Sequence, residues 1–191
     1  MRFFNWLKRN NHAEEKIIEE TPAIGYQPLI EIAKILTDDD YKAVESIKML
    51  VNSPEDFKVN YHDWLEEMDF SIESMSDIIA AYWLTGYDTP HDFGGYIDWK
   101  SEKEEILFSL EESIKNKNYV LNLKDIVFSD DDFNDVALFK TSNYLKENGY
   151  ILVNWNTDSD SYHIFVINKK DYDNLVILGK EMNIRFHSFL Q

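Results

Sequence analysis

Two apolar runs, Tyr150 to Trp155 and Tyr162 to Ile167, enclose the polar stretch Asn156-Thr157-Asp158-Ser159-Asp160-Ser161, and no other segment constrains the fold as tightly. Runs of this length, rich in Val, Ile, Tyr, Phe and Trp, read as strands. The Asp- and Ser-rich stretch between them closes a β-hairpin over about residues 150–167, with an acidic tip. Asn148-Gly149 stands just before it, and glycine adopts the left-handed conformation that ends many helices, so a helix feeds directly into the hairpin.

Further strands are expected at about residues 95–99, in Tyr96-Ile97-Asp98-Trp99, and at about 184–189, where Ile184, Phe186 and Phe189 are interleaved with Arg185, His187 and Ser188. Upstream the period changes. Leu29, Ile32, Ala33 and Leu36 share one helical face, as do Val44, Ile47, Leu50 and Val51. Ser53-Pro54 opens another helix, since a proline at the first helical position loses no bond, and Tyr61, Trp64, Leu65 and Met68 continue the spacing. Met75, Ile78, Ile79, Tyr82 and Trp83 form the cleanest stripe. Ser101-Glu102-Lys103-Glu104 has the pattern of a capping box before a helix through Ile106, Leu110 and Ile114. Ser129-Asp130-Asp131-Asp132 sets carboxylates at the start of the helix that runs to Leu145, and a last helix covers about 170–182. The fold class is α+β: a mainly antiparallel sheet from the C-terminal half, covered by helices, with a helical N-terminal half.

At 191 residues and 44% hydrophobic content, one domain is the natural count, here residues 26–191. Residues 1–25 read as an N-terminal appendage: Arg2, Lys8 and Arg9 mix with Phe3, Phe4 and Trp6, and a charged stretch ends at Thr21-Pro22. That start lacks the uninterrupted apolar core of a secretory signal. No run approaches the roughly 20 apolar residues of a membrane span. The chain has no cysteine, which excludes disulfides and thiolate chemistry and suits a reducing cytoplasm. Its 36 acidic residues against 19 basic ones give a net charge of −17, a field that repels nucleic acid and attracts a basic protein. Solubility alone also accounts for such a charge.

No Gly-x-Ser-x-Gly elbow, phosphate-cradling loop or dinucleotide fingerprint occurs, and the five histidines lack zinc-site spacing. No catalytic residue, metal ligand or cofactor is assigned. Asn154, Asn156, Asp158 and Asp160 alternate oxygen ligands, but the glycine and glutamate that a calcium loop needs at its sixth and twelfth positions are replaced by Ser159 and Phe165. A second polar and aromatic concentration lies in the turn-rich segment of residues 86–95 and just beyond it. The candidate binding residues are therefore Asp88, His91, Asp92, Tyr96, Asp98, Trp99, Trp155, Asp158, Asp160 and Tyr162. The leading expectation is a non-enzymatic, cytoplasmic protein-binding module. The alternatives are a divalent-metal-dependent hydrolase using Asp158, Asp160 and Asp98, with His163 as proton carrier, and a structural or scaffold protein.

Tyr96-Ile97-Asp98-Trp99-Lys100 with Glu104, Asn148-Gly149-Tyr150, and Thr157 through Tyr162 resemble the bacterial family called domain of unknown function 6630, from about Tyr26 onward. That resemblance implies a bacterial origin and an α+β domain, and it carries no active site. In size, acidity and lack of catalytic motifs the chain is also similar to the small immunity proteins of bacterial toxin systems, including the SUKH superfamily. Only Gly94-Gly95 stands where a SUKH protein would have its glycine-rich segment. The leading expectation includes a basic toxin among the partners such a module would engage.

Overall fold

The computed structural model describes residues 26–190, so the expectations for residues 1–25 fall outside the described part. Five helices come first: α1 (Gln27–Thr37), α2 (Tyr41–Asn52), α3 (Pro54–Asn60), α4 (His62–Glu67) and α5 (Ile72–Leu84). Strand β1 (Gly95–Asp98), helices α6 (Glu104–Asn116) and α7 (Asn134–Glu147), strands β2 (Tyr150–Asn156) and β3 (Ser161–Asn168), helix α8 (Tyr172–Glu181) and strand β4 (Arg185–Ser188) follow. The strands form one antiparallel sheet in the order β1-β3-β2-β4. The α+β class, the helical first half and the C-terminal sheet are as the sequence predicts.

Both faces of the sheet are buried, and this explains why the hairpin strands are almost continuously apolar. Side chains alternate across a strand, so Ile151, Val153, Trp155, Phe165 and Ile167 face the layer of α1, α2, α5 and α8. Leu152, Ile164, Val166 and Ile97 face α6 and α7. A slip of one residue would exchange the two sets, and the register Val153↔Phe165 keeps each in its own core.

Several local details depart from expectation. The helix opened by Ser53-Pro54 breaks at Tyr61 (φ −128°) into α3 and α4. Among Asp38, Asp39 and Asp40, only Asp40 caps α2, accepting from the Ala43 N–H at 2.9 Å. Asp38 and Asp39 instead take left-handed conformations that end α1. The capping box does not form. Ser101 is used in a turn, its N–H donating to the Asp98 carbonyl at 2.9 Å and its carbonyl accepting from Asn134 Nδ2 at 2.8 Å, so α6 starts at Glu104.

Strand β1 pairs only with residues 161–164 of β3, which leaves the outer edge of β3 open further along. The Val166 carbonyl there accepts instead from Lys117 Nζ, at 2.8 Å. This ammonium sits at the end of α6, 4% exposed, and burial pushes its pKa down to about 7. Gly94 brings the chain onto β3 in a way no other residue allows, because a Cβ there would lie 2.7 Å from the Ile164 carbonyl oxygen and from the Phe165 ring.

Candidate functional site

The loop between α5 and β1 is a clamped partition. Trp64 Nε1 donates to the Tyr87 carbonyl (3.1 Å) and Thr89 Oγ1 to the Trp83 carbonyl (2.8 Å), which ties the loop to the first helices. On the other side α6 holds it: Ser113 Oγ donates to the Phe93 carbonyl (2.6 Å) and Asn116 Nδ2 to the Asp92 carbonyl (2.8 Å). Gly86 (φ +81°) and Asp88 (φ +53°) make the turns. Successive side chains of the extended part then point in opposite directions, and His91 and Asp92 line two different grooves.

Asp92, Tyr87 and Tyr96 line a groove of about 540 Å³ whose other wall is α6, with Glu105, Phe108 and Glu112. Tyr87 and Tyr96 lie 4.6 Å apart, and Phe108 is 77% exposed. No lysine or arginine lines this groove, although Glu112 is paired with Lys115 outside it at 3.0 Å. The Asp92 carboxyl has no hydrogen bond or ion pair among the described residues. Burial, and then the nearby Glu112, push its pKa up. It is a desolvated carboxylate beside another carboxylate, and a cation brought into the groove would relieve both effects.

His91 lies on the opposite side, 6% exposed, with its ring 5.3 Å from that of Trp83. Its groove, about 950 Å³, runs along α2 and the start of α3.

The remaining candidates do not converge on either groove. Asp88 is exposed at the loop tip. Trp155 is 1% exposed and packs on Phe186 at 5.1 Å, so it belongs to the core and offers no contact surface. Tyr162 lies on the α6/α7 side and, with the 56%-exposed Trp99, lines a third groove next to Phe133. Asp98 accepts from the Lys100 N–H at 2.8 Å, Asp158 pairs with Arg185, and the Asp160 carbonyl accepts from the Trp99 N–H at 3.3 Å. Among the described residues no group of three or more His, Asp or Glu is spaced to hold a metal ion.

His163 is fully buried beneath the rings of Tyr82 (4.3 Å) and Tyr96 (5.4 Å). Neither ring nitrogen has a partner, and burial pushes its pKa down to about 4. A proton carrier needs a route for its proton, and this imidazole is enclosed.

Sequence reasoning missed the α6 wall of the acidic groove. Phe108 is the signal that would have found it: it lies off the Ile106, Leu110, Ile114 stripe, on the face shared by Glu105 and Glu112.

The architecture defines an α+β protein with a four-stranded antiparallel sheet between two helical layers, and with a groove lined by acidic and aromatic side chains. Its sequence matches the model of the family described as domain of unknown function (DUF6630) over residues 28–189, and the chain belongs to that family. No curated protein and no solved structure matches it. Among the described residues no helix is long and apolar enough to cross a membrane.

Proposed function

We propose that the chain is a non-enzymatic protein-binding module of the bacterial cytoplasm, immunity-like in character, which captures a basic partner in the groove between β1 and α6. One observation carries this reading: Asp92, Glu105 and Glu112 share that groove with Tyr87, Tyr96 and Phe108, and no cation lines it. A guanidinium or ammonium entering it gains Coulomb attraction at reduced dielectric and the faces of the aromatic rings. The net charge of −17 adds long-range steering of a basic partner toward the surface.

The test is fluorescence anisotropy with an arginine-rich peptide at several salt concentrations. Asp92→Asn and the pair Glu105→Gln/Glu112→Gln weaken binding more than neutralising Asp173 and Glu181 on α8, and binding falls as salt rises. Asp92→Asn also raises the melting temperature at neutral pH, because the residue held ready for a cation is destabilising while the groove is empty. Equal effects of groove and α8 variants, or binding indifferent to salt, would refute the reading.

A further inference from the structure

We propose that the groove floored by His91 is a second and separate site, which takes a small zwitterion bearing an aromatic ring, of amino-acid to dipeptide size. The volume of about 950 Å³ is ample for such a molecule. His91 is built into its wall, with 6% of its surface exposed and its ring against Trp83. Its backbone N–H donates to Thr89 Oγ1 at 3.3 Å, whereas its imidazole makes no hydrogen bond among the described residues. Burial lowers its pKa, so the ring stays neutral and presents one donor and one acceptor. Unlike those of His163, its ring nitrogens reach solvent, and a ligand in the groove can take the place of water on them.

The charges around it narrow the class of ligand. Asp40, Lys42, Glu45, Lys48 and Asp56 line the same groove. Lys48 is paired with Glu45, and the Asp40 carboxylate is engaged by the Ala43 N–H. Lys42 and Asp56 are both exposed and neither is in an ion pair among the described residues, and Asp40 keeps its charge, so one free cation stands with two anions. A phosphate ester would meet one free lysine among three carboxylates, a poor balance for a dianion. A molecule with one carboxylate and one ammonium matches Lys42 and Asp56 together. Tyr61, Met49 and Phe93 supply the apolar surface that an aromatic side chain would cover.

The test is isothermal titration calorimetry of the full chain with glycyl-L-phenylalanine. Binding in the millimolar range or tighter is expected. Lys42→Gln, Asp56→Asn and His91→Leu each weaken it by roughly tenfold, the loss that follows from removing one charge-assisted or buried hydrogen bond. The same peptide with both termini blocked binds more weakly by at least that factor. Lys42 and Asp56 are exposed, so their variants keep the fold even if His91→Leu does not. No heat up to the solubility limit of the probe, unchanged affinity in Lys42→Gln and Asp56→Asn, or equal affinity for the blocked peptide would each overturn the proposal. Neither groove shares a lining residue with the other, so this site and the arginine-peptide site stand or fall separately.

Discussion

Replacing His163 with phenylalanine is expected to stabilise the fold and to remove a defined part of its acid sensitivity. The side chain is fully buried and its two ring nitrogens lack partners, whereas the backbone N–H of His163 donates to Asn154 Oδ1 at 2.9 Å. A benzene ring retains the packing on Tyr82 and Tyr96 and removes the orphaned nitrogens, whose desolvation costs about 1–3 kcal/mol; allowing for the slightly larger ring, a net gain of about 1 kcal/mol at neutral pH follows. The pH dependence is sharper. The imidazole titrates at 6.5 in the unfolded chain and at about 4 in the folded one. Between those values the unfolded chain holds a proton that the native state does not, so stability is complete above pH 6.5 and is lost as pH falls toward 4. At about 1.4 kcal/mol per pKa unit the loss approaches 3 kcal/mol. Urea unfolding of both proteins, followed by tryptophan fluorescence at several pH values, measures the difference directly, and other titrating groups cancel in it. The gap between variant and wild type must widen as pH falls through this window. Parallel stability curves, or a variant less stable than wild type at neutral pH, would show that the imidazole has a partner and that the reasoning is wrong.

Three further outcomes follow from the fold. Lys117 titrates at about 7 in the folded chain against 10.5 unfolded, so the wild type gains stability as pH rises from neutral to 9, by roughly 2–3 kcal/mol. Lys117→Met loses that gain in chemical denaturation run across the same range. Trp155→Ala destabilises by about 3–5 kcal/mol in urea, as for other large core truncations, and leaves the affinity for the arginine-rich peptide unchanged. Gly94→Ala drives a methyl group against the Ile164 carbonyl and the Phe165 ring, and a loss of about 1–3 kcal/mol should appear in its thermal unfolding.

What the sequence made legible was local, and what it concealed depended on contacts between distant segments. The hairpin and the helix stop at Gly149 (φ +88°) follow from chemistry confined to a few neighbours. The capping box at Ser101 failed because Asn134, 33 residues away, binds the Ser101 carbonyl and an Asp98 turn takes its N–H. Trp155 and Tyr162 read alike as aromatic residues of the hairpin, yet one is sealed beneath Phe186 and the other borders a groove on the opposite face. Asp92 and Tyr96 were visible as polar and aromatic residues of a loop. Their meeting with Glu105 and Glu112 depends on how α6 crosses β1, which no local pattern encodes.

The lysine at the open edge of β3 bears on how copies of this chain behave in a crowded solution. A strand edge with free carbonyls is a template onto which a neighbouring polypeptide can grow, and a long apolar hairpin is exposed to that hazard whenever it partly opens. Here the ladder past β1 is stoppered by a side chain that donates to the carbonyl but offers no backbone to continue the ladder, so an incoming strand must first evict the Lys117 Nζ. The stopper is tethered to the end of α6, and it stays in place only while that helix is docked. Aggregation resistance and helix docking are therefore one property in this fold, and variants that loosen α6 should be recognised first by their tendency to form filaments.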